Sequence, residues 1–165
     1  TANLTVEAAT EINFTTNNIN WSSGRVAGGA TYATLNTSIA GPNNITGGNW
    51  TSSTAGLILV NIGNTNVTLD LGAGKTNTSF IGGGGAGSPW PRYGWNVSNV
   101  EAGSCTAGTL TLDSFSNTNS SIRTCTVFAY EDAKDSIRID IALIIPSNSQ
   151  TGALSDTITA TATAI

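Results

Sequence analysis

Apolar and polar residues alternate along much of the chain, and the alternation has the period of a β-strand, not of a helix. From Ala2 to Phe14 the even positions read Ala, Leu, Val, Ala, Thr, Ile, Phe, and the odd positions read Asn, Thr, Glu, Ala, Glu, Asn. Only Ala9 and Thr10 break the pattern. The closing segment repeats it: Leu154, Ile158, Ala160, Ala162 and Ala164 alternate with Ser155, Thr157, Thr159, Thr161 and Thr163, interrupted by Asp156. Between these ends the pattern predicts further strands over 12–19, 30–39, 57–62, 66–71, 93–100, 108–115, 122–130 and 136–145, with 4–8 and 154–164 outermost. Breakers separate them: Gly28-Gly29, Gly41-Pro42, Gly47-Gly48, Gly63-Asn64, the run from Gly82 to Pro91, and Pro146 to Gly152. Only 129–135 offers a turn or two of helix. So many short strands predict an all-β fold, an antiparallel β-sandwich of jelly-roll or immunoglobulin-like type.

The first alternating stretch is long for its setting. At about 3.4 Å per residue it reaches roughly 44 Å, about twice an ordinary strand. A compact domain struggles to cover such a strand along its whole length. Either it is an ordinary first strand, or it leaves its own domain and completes a neighbour's sheet. The division expected is an extended strand over 1–14 and one sandwich domain over 15–165. At the other end, the small Ala residues leave a shallow groove beside the last strand, which is either an acceptor or a plain edge.

Composition narrows the function classes. Of 165 residues, 10% are charged, against about 25% in a typical soluble domain. Ser, Thr and Asn supply the polarity instead. There is no His, so the commonest general base and transition-metal ligand is missing, and an exported Ser hydrolase lacks its usual partner. With a net charge of -4 and six Lys+Arg, nucleic acid and anionic membranes are excluded as expected partners. The longest apolar run, Ile141 to Ile145, is strand-sized and ends at Pro146, so no membrane span is expected. A chain beginning at Thr1 is expected to have lost its initiator Met and a leader peptide. Its polar start also disfavours the type IV pilins, which open on a long apolar helix.

Cys105 and Cys125 are the only cysteines, and in an exported chain they are expected to pair across a Ser/Thr/Asn-rich loop. Glycosylation sequons support export: Asn3, Asn13, Asn20, Asn36, Asn44, Asn49, Asn66, Asn77, Asn96 and Asn119 each begin one, roughly double the number composition alone gives. N-linked glycans would also explain how so uncharged a surface stays soluble.

Sites of chemistry are weak. Gly72-Ala73-Gly74-Lys75-Thr76 resembles the end of a phosphate loop, but Leu69 stands where the first Gly belongs, and residues 77–81 read as strand where a helix is required. Glu131, Asp132, Asp135 and Asp140 form an acidic group without calcium-loop spacing and with Lys134 inside it, so a solvated turn is expected and no metal. No pair of carboxylates is placed across a cleft for glycoside hydrolysis. Trp90, Tyr93 and Trp95 follow the glycine run; exposed they would stack on sugar rings, buried they would anchor the loop, with Arg92 over a ring. Trp21 and Trp50, each inside a sequon, are expected under a glycan or in a subunit contact. No cofactor and no enzymatic activity are expected.

Three stretches carry a family likeness: Leu4-Thr5-Val6-Glu7-Ala8, Val60 to Leu69, and Ile145-Pro146 followed by Ser155 to Thr161. In these the chain resembles the donor-strand-complemented extracellular filament proteins, namely archaeal bundling pili, archaeal thread filaments and the bacterial TasA/camelysin matrix fibres. The resemblance implies a subunit of a pilus-like homopolymer at the cell surface that serves adhesion and biofilm formation. Its donor strand would present Leu4, Val6, Ala8, Ile12 and Phe14, and its partners would be identical subunits, surface glycans and other cells. Two alternatives remain: a monomeric or wall-attached carbohydrate-binding or adhesion module using the Trp90–Trp95 loop, and an S-layer component.

Overall fold

A computed structural model of the chain describes residues 3–38, 44–84 and 91–165. It is an all-β structure of two antiparallel sheets. The strands are β1 (Ile12–Thr16), β2 (Tyr32–Asn36), β3 (Ile45–Thr46), β4 (Leu57–Asn61), β5 (Val67–Ala73), β6 (Tyr93–Asn99), β7 (Cys105–Ala107), β8 (Ser116–Asn117), β9 (Ile122–Phe128), β10 (Ser136–Pro146) and β11 (Ile158–Ala164), with one short helix, α1 (Asn77–Phe80).

The larger sheet is organised by β10, whose run of Ile and Leu suits a strand buried on both faces. One side of β10 pairs with β6 from Ile137 to Leu143. The other side pairs first with β4 and then with β2. β1 extends this sheet beyond β4, β3 beyond β2, and β8 beyond β6. The smaller sheet has the order β11-β5-β9-β7. Trp95, Val97, Leu59, Ile137 and Ile139 from the first sheet share one core with Val67, Leu69, Leu71 and Phe128 from the second. The sandwich predicted from alternation is the structure observed.

Cys105 and Cys125 are joined, tying β7 to β9 across a separation of 20 residues. By loop-closure entropy such a cross-link contributes about 3 kcal/mol. On the outer side of β10, Arg138 grips Asp140 through Nη2 at 2.8 Å, and also donates to the carbonyls of Thr37 and Thr54. Held by that buried carboxylate, the guanidinium ties down the chain at both positions.

Several elements differ from expectation, each for a local reason. Residues 77–80 are a helical turn, because Thr76 and Ser79 cap each other's backbone N–H groups. The stretch 129–135 is not helical; it turns tightly where the Lys134 amide donates to the Glu131 carbonyl at 2.6 Å. The strand expected over 108–115 is absent. The amides of Thr109 and Leu110 both donate to the single carbonyl of Arg123, which turns the chain out of the ladder, and Asp113 adopts a φ of 57°. The last strand starts at Ile158, since Asp156 is held by the Lys75 amide and the Tyr93 hydroxyl. Finally, residues 4–8 form no strand with any part of their own chain.

Candidate assembly site

The N-terminal segment meets the body of the protein at the turn between β4 and β5. β1 begins there, with Ile12 opposite Asn61. Just before it, the amides of Ile62 and Gly63 donate to the Glu11 carbonyl at 3.0 and 3.1 Å, and the Asn64 amide donates to the Ala9 carbonyl at 3.1 Å. The Asn64 side chain then acts like a fragment of strand. Its Oδ1 accepts from the Ala9 amide at 2.7 Å, and its Nδ2 donates to the Glu7 carbonyl at 3.0 Å. Residues 7–9 are held extended by one side-chain amide. Glycine is required at 63, because a Cβ there would run into the Ala9 carbonyl oxygen.

Beyond this clamp the segment is bare. Residues 3–10 are all exposed, and Leu4 and Val6 keep 88% and 74% of their surface in water. The five residues expected on a donor strand are therefore divided. Ile12 and Phe14 lie in β1 and pack on the chain's own core, whereas Leu4, Val6 and Ala8 project outward without cover. Nothing in the sequence marks Asn64 as the residue that makes this division, since it reads there as an ordinary turn former.

A second feature is the edge strand of the smaller sheet. β11 pairs with β5 in unbroken register, from Ile158 opposite Ala73 to Ala164 opposite Val67. The bonds from Gly74 N–H to the Thr157 carbonyl and from Ile165 N–H to the Asn66 carbonyl set the phase. Odd-numbered residues of β11 bond to β5, so the N–H and C=O groups of Ile158, Ala160, Ala162 and Ala164 point away from the sheet. Among the described residues no strand pairs on that side. The side chains of Ile158, Ala160 and Ala162 pack toward the core, and the Thr residues between them face water.

Natural sheets usually guard such an edge with charge, proline, a bulge or brevity. β11 has seven residues, Ile-Thr-Ala-Thr-Ala-Thr-Ala, and none of these guards. The other edges are guarded or short. β3 and β8 have two residues each and β7 has three. β1 has five residues, and its pairing with β4 is broken by a register shift between Phe14 and Thr16.

The remaining candidate features are placed as follows. Tyr93 and Trp95 are buried, at 3% and 0% exposure, so they anchor β6 in the core and are closed to a sugar ring. The Tyr93 hydroxyl donates to Asp156 Oδ2 at 2.7 Å, and burial pushes it far above the ordinary phenol range, with the adjacent carboxylate adding to the effect. Arg92 is directed at the carbonyls of Gly82 and Gly83, not at a ring as expected. Trp90 lies outside the described residues, as does 85–87 of the glycine run. Trp50 packs against Gly24 and Gly48, and Trp21 packs against the core.

Gly72 and Ala73 of the phosphate-loop-like stretch belong to β5. One of the two objections to that motif, the missing helix, is removed by α1; the other, Leu69 in place of Gly, stands in the middle of a strand. The acidic group is dispersed. Glu131 pairs with Lys134 at 3.2 Å, Asp140 is buried against Arg138, and among the described residues no three metal-binding side chains converge.

Of the sequons, Asn36 and Asn44 are each 1% exposed, and Asn44 Nδ2 is committed to the Ser53 carbonyl at 2.7 Å. The folded chain has no room for a glycan on either. Asn3, Asn13, Asn20, Asn49 and Asn119 are exposed, and Asn66, Asn77 and Asn96 are half-buried. No helix among the described residues is long and apolar enough to cross a membrane. Comparison with known protein families, curated proteins and solved structures finds no match.

Proposed function

We propose that this chain is the structural subunit of an extracellular, glycosylated, pilus-like filament, joined head to tail by its N-terminal segment and serving adhesion and biofilm formation. The observation that carries the reading is the state of Leu4 and Val6. They alternate with polar residues as in a strand, they stand 88% and 74% exposed, and the chain behind them is clamped so that they project from the body. Two apolar side chains held out in water by a specific hydrogen-bonding device are a cost to a monomer and an asset to a polymer. Burial in a neighbour contributes about 1.5–3 kcal/mol for each. A contact made between different surfaces of successive copies does not close on itself, so it generates a fibre. The disulfide and the abundance of exposed sequons suit a chain that works outside the cell.

The alternative of a carbohydrate-binding module is weakened by the burial of Tyr93 and Trp95, which leaves Trp90 as the single aromatic of that loop to offer a sugar. The test is electron microscopy of the native protein beside a form lacking residues 1–10. Thin unbranched fibres from the first, and folded single particles from the second, are the expected result. Fibres from the truncated form would show that a different contact drives assembly. Single particles from both would return the Trp90 loop to first place, and two-dimensional lattices would favour an S-layer component.

A further inference from the structure

Resting on the filament reading, we infer that the outer edge of β11 in a second copy of this chain is the acceptor for residues 4–8, and that the two strands run antiparallel in one register.

The partner edge follows from the inventory of edges. An unguarded strand of seven residues with four outward-pointing backbone N–H and C=O pairs is a template for one more strand. The same chain carries one alternating, uncovered segment to fill it. β11 lacks the charged side chains and prolines that keep strands from pairing, as expected of an edge that is covered in the working assembly.

Direction follows from the poles of the sandwich. The clamped segment leaves the body at the β4–β5 turn, and β11 finishes at that same pole, where Ala164 lies opposite Val67. β11 begins at the far pole, where Ile158 lies opposite Ala73. In a filament whose subunits share one orientation, the segment of one copy enters its neighbour at the far pole and extends toward the turn. Ala8 is then near the start of the neighbour's β11 and Leu4 near its finish, so the two chains run in opposite directions. Folding back on its own β11 would give the reverse, a parallel pair.

Register follows from side-chain size. With Leu4 opposite Ala162, Val6 opposite Ala160 and Ala8 opposite Ile158, every pair on the core-facing side joins a large residue to a small one. These are also hydrogen-bonded pairs, since the even residues of β11 direct their backbone groups outward. A slip of two residues one way sets Val6 against Ile158; a slip the other way sets Ala8 against Ala160. On the water-facing side the chosen register sets Thr5 against Thr161 and Glu7 against Thr159, polar against polar.

The test places cysteines on the solvent face. Thr5 and Thr161 would form a non-hydrogen-bonded pair with Cα atoms about 4.5 Å apart, within disulfide range. Both are exposed, so neither substitution disturbs the core. In the full-length Thr5→Cys/Thr161→Cys chain, mild oxidation of assembled material is expected to give a ladder of covalent multimers in non-reducing gels, collapsed by reductant. The matched Thr5→Cys/Thr106→Cys chain, aimed at β7 on the other edge of the sheet, is expected to give none. A cross-link within one chain would overturn the inference in favour of self-pairing. Fibres without a ladder, or a ladder from the β7 control, would overturn the acceptor edge while leaving the filament intact. Absence of fibres even from the unsubstituted chain would overturn the filament reading, and the acceptor with it.

Discussion

The two ends of this chain carry the same alternating pattern and meet opposite fates. β11 is paired along its whole length with β5, and its inward side chains pack on the core. Residues 4–8 are no less alternating, carry larger apolar side chains, and form no strand with their own chain. Alternation therefore specifies that a segment suits a sheet, but not whose sheet it joins. The choice is made by a few polar contacts, here the Gly63–Asn64 turn that fastens residues 7–11 and sends the rest outward.

Truncation breaks the symmetry most sharply. Removing residues 154–165 strips β5 of one of its two ladder partners and uncovers the core beside Val67, Leu69 and Leu71, each 0% exposed. The loss of several side-chain burials at about 1.5–3 kcal/mol each takes most of a stability that is typically about 5–15 kcal/mol. Cooperative thermal unfolding should vanish. Removing residues 1–10 should leave unfolding nearly unchanged, because nothing buried depends on them. Calorimetry of the two truncated forms decides it, and equal losses of stability would contradict the division between a structural end and a connecting end.

Point substitutions sharpen the contrast. Leu4→Ser and Val6→Ser should each leave the melting temperature of the subunit unchanged and raise the concentration at which half the material assembles by about 10- to 100-fold, the equivalent of about 1.5–3 kcal/mol. Ile158→Ser at the other end should do the reverse in order of severity, lowering the melting temperature first. Light scattering for assembly and circular dichroism for melting separate the two effects. Smaller again is Asn64→Ala. It removes two exposed hydrogen bonds, each worth about 0.5 kcal/mol at the low end of the usual range, so assembly should weaken by about fivefold while the core stays intact. Hydrogen exchange at the Ala9 amide, fast in the variant and slowed in the parent, is the direct readout.

How much of this was legible in the residues alone can be traced position by position. The sandwich was, because β5, β6 and the first half of β10 alternate with period two, while β4 and the second half of β10 are short apolar runs of strand length. The Cys105–Cys125 bridge was too. What was not legible depended on bonds between residues distant in sequence. Thr109 and Leu110 look like strand until both amides are seen to share the Arg123 carbonyl. Asn77 to Phe80 look like strand until Thr76 and Ser79 are seen to cap one turn of helix. In the candidate site the alternation of residues 2–14 was visible, but the boundary inside it was not. Ile12 and Phe14 turn inward, and Leu4 and Val6 outward, because Asn64 lies 55 residues from the backbone it holds.

The smallest effect tests whether the connecting end has an electrostatic character of its own. Asp135 sits at the pole where the N-terminal segment enters, its carbonyl accepting from the Asn61 amide at 2.9 Å. Desolvation raises its carboxyl above the usual carboxylate range, and the nearby charges of Glu101 and Asp132 raise it further. A carboxyl raised in the folded state disfavours folding when ionised, so this penalty is present at neutral pH and disappears as pH falls through the raised value toward about 4. Lys134, the neighbour in sequence, is paired with Glu131 at 3.2 Å. Asp135→Asn should therefore raise the melting temperature slightly at pH 7 and not at pH 4, flattening the profile between them. β11 holds no ionisable side chain, so the same change in pH should leave that edge untouched. Melting curves across this range, with and without the substitution, would place the pH dependence at the entry pole; a parent profile that the substitution leaves unaltered would place it elsewhere in the sandwich.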